Sequence, residues 1–515
     1  MELNKRQNNK RIAVNTLLLY FRMLVTMLVG LYTSRVVLQN LGVEDFGIYN
    51  VVGGVVATFA ILSGSLSAAI SRFLTYELGK NNPQKIKNVF ATAVMVQLVL
   101  VLFVLLIAET VGLWFVNNQM TISTDRLHAA NWVFQLSLIT FSVNLISVPY
   151  NAAIIAHERM SAFAYISIIE ALGKLAIAWL IAISSYDKLI VYSVLMCFVA
   201  LVIRIIYGGY CKKHFEECSW HFIFDKALLK QMFGFAGWNF IGASSAILRD
   251  QGGNIVLNIF FGPAVNAARG VAVQVQNAVN QFSTNFMTAM NPQITKSYAN
   301  GDYGYMMFLI LQGARLSFYM LLLLSLPILL NSDYILSIWL KNVPEHSARF
   351  AQLILIFVLS ESISSPLITA MLATGNIRNY QIIVGGLQML NLPVSFLFLK
   401  KGFVPESVFV IAIVISQCCL FARLIMLRKM ISLKVGLYLK RVYFNVILVS
   451  LLSAMIPFSV HKYLLYEVNA INFIAVTIIS IVCTSMVVFG IGCNRDERIF
   501  VKNKVVALKD KIIHI

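Results

Sequence analysis

The sequence predicts an all-α, polytopic membrane protein, and three observations carry that prediction. First, 59% of its residues are hydrophobic and 12% charged, with a mean hydropathy of +0.78; soluble domains carry about a quarter charged residues. Second, about fourteen apolar runs of roughly 20 residues follow one another, each long enough for a ~30 Å hydrocarbon core. Third, Lys and Arg gather in alternate loops. Lys5, Arg6, Lys10 and Arg11 are followed by Arg72, Lys80, Lys85 and Lys87, then by Lys212, Lys213, Lys226 and Lys230. Later groups run from Arg428 to Arg441 and from Arg495 to Lys511, while the loops between hold Glu44, Asp45, Asp125, Asp187, Asp333 and Glu345.

Taken in order, the predicted spans lie near 12–38, 46–71, 84–107, 128–155, 159–183 and 188–211. After a basic loop come spans near 230–260, 264–290, 304–330, 348–373, 379–399 and 404–427, then a final pair near 442–461 and 470–491. The amino terminus has the basic start of a signal peptide, but Arg22 interrupts the apolar run and no small-residue cleavage site follows, so an uncleaved first span is expected. Arg428–Arg441 reads as an interfacial connector and Asn494–Ile515 as an amphipathic tail. Residues 1–211 form a first lobe, 212–229 a linker, 230–428 a second lobe, and 429–515 the connector, last two spans and tail. A faint repeat supports the division. Val36-Val37-Leu38 before Gly42 matches Ile255-Val256-Leu257 before Gly262, and Tyr76 with Gly79 matches Tyr298 with Gly301. The copies share orientation, as in a parallel repeat about the membrane normal.

The net charge of +19 would suit a nucleic-acid partner, but its loop alternation is the positive-inside pattern. No nucleic acid is expected. Both termini are placed in the cytoplasm and the chain in a bacterial inner membrane, with some attraction to anionic lipid. Seven cysteines make no disulfide framework, since Cys197, Cys418, Cys419 and Cys483 lie in apolar runs. Cys211, His214, Cys218 and His221 share a helical face, but ligands strung along ~15 Å of one helix cannot converge tetrahedrally. No metal is expected.

The most informative stretch runs from Asn266 to Asn291. At about 100° per residue, Asn266, Arg269, Gln276, Asn277, Asn280, Thr284 and Asn291 fall on one side, with Val271, Val275, Ala278, Phe282, Phe286 and Ala289 opposite. Amides and guanidinium groups at membrane depth are costly unless they face water or a partner, so a hydrated path is expected here. Intramembrane cations (Arg22, Arg35, Lys174, Arg204, Arg249, Arg269, Arg315, Arg423) outnumber the acids Glu170, Asp250 and Glu361.

These groups are not equivalent. Arg22, about 15 Å along its span, and the similarly deep Arg315 are cavity candidates, with a buried ion pair as the alternative for Arg22. Arg249 and Asp250 are adjacent and should point apart, with Asp250, Asn254 and Asn258 forming a ridge; mutual or interhelical pairing is the alternative. Arg269 could line the path or snorkel. Glu170 and Lys174 read as a helical ion pair, and Arg204 and Arg423 as membrane anchors. Asp250 and Glu361 are candidates for ion coupling, although Glu361 could equally meet an arginine from another helix. His157-Glu158-Arg159 reads as a topological turn, and Pro292, Pro327, Pro366 and Pro393 as helix bends.

Leu41-Gly42-Val43-Glu44-Asp45-Phe46-Gly47-Ile48-Tyr49 resembles the first-loop signature of Wzx-type polysaccharide flippases of the MOP superfamily, relatives of MATE exporters. Ala373-Thr374-Gly375-Asn376-Ile377-Arg378 resembles a second recurring turn of that group. The resemblance implies two six-helix lobes in a MATE-like arrangement around a central cavity, two C-terminal helices, and alternating access without ATP hydrolysis. It implies an undecaprenyl-pyrophosphate-linked oligosaccharide, an O-antigen or capsule repeat unit, as substrate. A polysaccharide polymerase and a chain-length regulator are the implied partners, with membrane lipid around them. No cofactor is expected beyond H+ or Na+ coupling. Arginine suits the diphosphate because its planar fork stays charged and binds bidentately. A MATE-like exporter of small organic molecules is the first rival. A membrane glycan polymerase is the second, although no outer loop is large. No phosphate-binding loop, His-Glu-x-x-His or Ser/His/Asp set occurs, so no enzyme is expected.

Overall fold

In hydrocarbon a backbone can satisfy its own polar groups only as a helix or a closed barrel. The chain takes the first solution: among the described residues of the computed structural model there is no strand. Those residues are 2–57, 59–118, 120, 122–219, 225–340, 343–465, 469–494 and 497–499. His221 and most of the expected tail lie outside them.

α1 (Glu2–Ala57) contains one break, at Gly42, whose φ of 80° and ψ of 172° turn the chain out of the first span. Only glycine adopts such an angle without steric cost. α2 (Ala60–Gly79), α3 (Pro83–Ile107) and α4 (Leu113–Asn118) follow, the last two joined by a π-turn. α5 (Thr124–Ala156), α6 (Met160–Ala182) and α7 (Lys188–His214) complete the first series. α8 (Lys226–Phe261) and α9 (Pro263–Ala299) meet at Gly262, whose φ of 78° repeats the Gly42 turn. Then come α10 (Tyr303–Leu330), α11 (Ser332–Trp339) and α12 (Ser347–Ser362), which bends by 42° into α13 (Ser365–Thr374). That bend precedes Pro366, one of the expected bend sites. α14 (Arg378–Met389) and α15 (Asn391–Lys400) share one span, and α16 (Ser407–Ile431) forms the next. α17 (Val435–Tyr438), α18 (Phe444–Tyr463) and α19 (Ala470–Val487) close the chain.

Ten described helices are long and apolar enough to cross a membrane, or eleven if α12 and α13 make one span. The other three of the fourteen expected spans lie in α1–α2, α8 and α9. These are helices too, but they fall outside that set, and α8 and α9 carry the polar residues singled out above. The protein is a multi-pass membrane protein.

Contacts divide the chain into two compact units. Unit 1 comprises Met1–Ala243, Thr288–Asp302 and Leu372–Gln381. Unit 2 comprises Ser244–Met287, Tyr303–Met371 and Ile382–Ile515. In unit 1, α1 packs on α6 and α5 on α7, with Val52, Val104, Val133, Phe134 and Leu138 fully buried between helices. In unit 2, α12 packs on α16 and α10 on α19; Phe350 and Ile354 fill the space left by Ala268 and Ala272 of α9.

Each unit also carries a polar knot, in unit 1 at the first-loop signature. Arg126 binds Asp45 of that signature through Nε at 2.8 Å and Asp187 through Nη1 at 2.6 Å. The knot in unit 2 holds His346, 2.6 Å from Glu406. Burial pushes the Asp187 carboxyl up. Hydrogen bonds from the Ile190 N–H and Arg126, with the Arg126 charge and the Leu189 N–H, outweigh it and hold the group below the ordinary 3.8. A depressed carboxyl stabilises the fold above its unfolded value, and that contribution fades as pH falls through the folded value. Thermal unfolding of detergent-purified protein is therefore expected to shift downward below about pH 4, and Asp187→Asn should flatten that dependence.

Candidate functional site

α9 supplies the framework of the site. Pro263 at its first turn suits a helix start, and Gly262 lets α8 fold back beside it. Asn277, Asn280 and Thr284 are exposed, as is Gln281; Asn266 and Gln276 are half-buried. The opposite side packs through Ala268, Ala272, Val279, Ser283 and Phe286. This corrects the helical-wheel expectation, in which Val275 and Ala278 lay on the packed side; Ala278 is exposed. Close helix approach favours small side chains, so Ala268 and Ala272 set the packed face and the valines lie beside it.

Arg269 does not snorkel. It is 8% exposed, and its Nη2 donates to the Asp250 carbonyl at 2.6 Å while Nη1 donates to Asn254 Oδ1. Gly253 leaves the room: a Cβ there would sit 3.3 Å from the guanidinium. These acceptors are neutral, and the buried Nε–H has no protein partner; nor does the buried Oδ1 of Asn266 one turn away. A fixed cation with a spare donor, in the field of the Asp250 carboxylate, therefore shares α9 with a row of exposed amides that begins about 12 Å further along the helix.

Arg249 and Asp250 take the alternative of mutual pairing, not the one in which they point apart. They pair, Nε to Oδ1 at 2.9 Å, because the long arginine chain folds back along α8. The Arg249 guanidinium lies 5.0 Å from the centre of the Phe357 ring and in the field of Glu361. Glu361 accepts from Ser416 Oγ at 2.6 Å, and Ser416 lies 3.0 Å from Ser360. Asp250 and Glu361 thus bracket one arginine in unit 2. The Asp250 side chain is 54% exposed and the Arg249 side chain 14%.

Arg315 lies elsewhere in unit 2. It is 4% exposed and binds Glu497 at 2.9 Å and the Gly492 carbonyl at 2.9 Å, tying α10 to the end of the last span. Its charge is met by an acid of its own. Arg423, read from sequence as a membrane anchor, is 1% exposed. It lies in the field of Tyr438 and Cys419 instead of reaching the membrane surface. Arg22 belongs to unit 1. Its guanidinium stands 4.7 Å over the Phe163 ring, near Glu170 and Tyr207, and Glu170 holds Lys174 at 2.6 Å. No group of three or more potential metal ligands occurs among the described residues.

Residues 10–298 match the profile of a family described as polysaccharide biosynthesis proteins. The chain belongs to this family. A relative, described as the uncharacterized membrane protein EpsK of Bacillus subtilis (strain 168), is 20% identical over 324 residues. That match covers 62% of this chain and 63% of the relative, so the chain aligns with less than two thirds of EpsK's length. Solved structures extend the likeness in fold. An outward-facing multidrug resistance MATE transporter of the MOP superfamily superposes with a TM-score of 0.73 at 12% identity, covering 83% of this chain and 97% of that one. A MOP transporter from Pyrococcus furiosus, reported to have a binding pocket of reversed polarity, gives 0.68 at 12% identity, covering 82% and 96%. The fold is MATE-like.

Sequence reasoning missed Glu158, Gln293 and Lys296. They converge at the α5–α6 turn, where the only local signal was the His157-Glu158-Arg159 charge cluster.

Proposed function

We propose that the protein flips an undecaprenyl-pyrophosphate-linked oligosaccharide, the repeat unit of an O-antigen or capsule, across the bacterial inner membrane by alternating access. The carrying observation is Arg269, a buried cation hydrogen-bonded to neutral oxygens with a spare donor, on the same helix as the exposed Asn277, Asn280, Gln281 and Thr284. A diphosphate takes the cation and amides hydrate a glycan, and membership of a polysaccharide biosynthesis family supports a saccharide-bearing substrate. Within unit 2, Arg249 is released to the substrate when Asp250 or Glu361 takes up H+ or meets Na+; Arg22 is a separate candidate contact in unit 1. Arg315 is left out, because Glu497 already uses its charge. The loops rich in Lys and Arg face the cytoplasm, with both termini there; a polymerase and a chain-length regulator receive the product.

Reconstitution tests this reading. Purified protein in liposomes carrying a fluorescent polyprenyl-diphosphate oligosaccharide is expected to move it between leaflets faster than protein-free vesicles do; equal rates would refute it. The MATE-like fold favours one alternative, an exporter of small organic molecules. Efflux of organic cations without movement of the lipid-linked glycan would select that alternative, although an arginine-bearing face disfavours cations. Growth of longer glycan in the same vesicles would instead indicate a polymerase.

A further inference from the structure

The side of unit 1 that carries its basic loops is held together by a crosswise arrangement of the two internal repeats. Glu158, in the α5–α6 turn, has a left-handed φ of 59°, and its side chain is 1% exposed. It accepts hydrogen bonds at 2.6 Å from Gln293 and at 2.6 Å from Lys296, both near the end of α9, and pairs with Arg11 of α1 at 3.3 Å. Asn15 donates to its carbonyl at 3.2 Å, and Arg11 donates to that of His157 at 2.8 Å. So the α9 end, from the second repeat, closes on a turn of the first.

The first repeat returns the contact. Arg72, near the end of α2, donates to the Ala373 carbonyl at 3.0 Å, in the α13–α14 turn. Its guanidinium lies 4.7 Å from the ring centres of both Phe73 and Tyr76. Gly375 in that turn has a φ of 76°, and a Cβ there would run into Arg72. The two arms meet where α2 and α9 end. Tyr76 and Tyr298, equivalent in the repeat, stand 6.2 Å apart, and a Cβ on Gly79 would lie 2.8 Å from that of Ala299.

We infer that this is a reciprocal latch, with Glu158 as its releasing group, which must part before the transporter can open toward its basic side. The inference rests on the transporter reading and adds the element that holds one side shut. Opening requires 288–302 and 372–381 to leave the rest of unit 1. The two arms are unequal in chemistry. The Arg72 arm ends on a neutral carbonyl, whereas the Glu158 arm buries a carboxylate against two cations. Both arms are charge-assisted, but only the Glu158 arm pairs opposite charges, so Glu158 sets the balance between latched and open states. Glu158→Gln keeps the shape and one acceptor but removes the charge.

Distance measurements between spin labels at Arg159→Cys and Asn300→Cys, both exposed positions, test this in purified protein without substrate. The native cysteines are first replaced by serine or alanine. The labelled parent should give one short distance. Glu158→Gln, and independently Lys296→Met, should raise a longer-distance population by about tenfold while thermal unfolding shows that the protein remains folded. Short distances alone in both folded variants would overturn the latch. If Glu158→Gln fails to fold, Lys296→Met decides. A Tyr76→Cys, Tyr298→Cys pair, oxidised, should stop transport and release it on reduction; transport at full rate in the oxidised form would also overturn it. Distances that lengthen in a protein that moves no lipid-linked glycan would leave the latch standing and refute the substrate.

Discussion

Arg315→Met is expected to destabilise the protein by about 3–5 kcal/mol, the usual effect of removing one partner from a buried ion pair. Arg315 and Glu497 have side chains only 5% and 14% exposed, so neither charge has water to fall back on. The substitution also frees the Gly492 carbonyl and loosens Tyr319, whose hydroxyl reaches that carbonyl at 3.3 Å and binds Asn445. These bonds join α10 to both α18 and the end of the last span, so their loss should release the C-terminal helix pair. The expected readout is a lower melting temperature in detergent, less protein in the membrane, and protease sensitivity near residue 494. Arg315→Met combined with Glu497→Met should recover much of the loss, because no buried charge remains unpaired. An unchanged melting temperature in the single variant would remove the clasp from the account.

Arg269→Gln should behave in the opposite way. Protein level is expected to hold, since only neutral oxygens lose a partner, at about 1–3 kcal/mol, and translocation is expected to fall by about 10–100-fold. That range is a charge-assisted hydrogen bond of about 1.5–3 kcal/mol converted at 1.4 kcal/mol per tenfold. Arg269→Lys keeps the charge but not the planar fork, so it should recover part of the rate and less than a point charge alone would predict. Arg22→Gln in unit 1 should lower translocation without loss of protein. Initial rates in liposomes, normalised to protein incorporated, separate these cases. Normal rates in both Gln variants would end the proposal that the arginines hold the diphosphate.

The contrast between these two arginines shows where sequence reading stops. Both occupy apolar runs, and on a helical wheel Arg315 is as good a cavity candidate as Arg269. What distinguishes them is a partner far along the chain, Glu497 for Arg315 and the neutral oxygens of α8 for Arg269, and no local periodicity reports that. Arg249 and Asp250, for which pairing is one of two readings, show a different limit. Adjacent residues leave a helix about 100° apart, but a side chain as long as arginine can curl back across that angle. Glu158 was the largest omission: a charged residue in a short turn usually faces water, and its burial depends on the end of a helix more than a hundred residues later.

The sequence by itself determined the all-α membrane architecture, the breaks at Gly42 and Gly262, the repeat, the Glu170–Lys174 pair and the polar character of α9. Each follows from local physics: hydrocarbon forces helices, a positive φ selects glycine, and charges one helical turn apart meet. Only the tertiary structure decided which cations are already neutralised, which face of α9 packs, and that Glu158 binds two cations and a glutamine. Those outcomes depend on which distant groups share a buried space, where a charge is tolerated only with its partner, and spacing along the chain does not encode that choice.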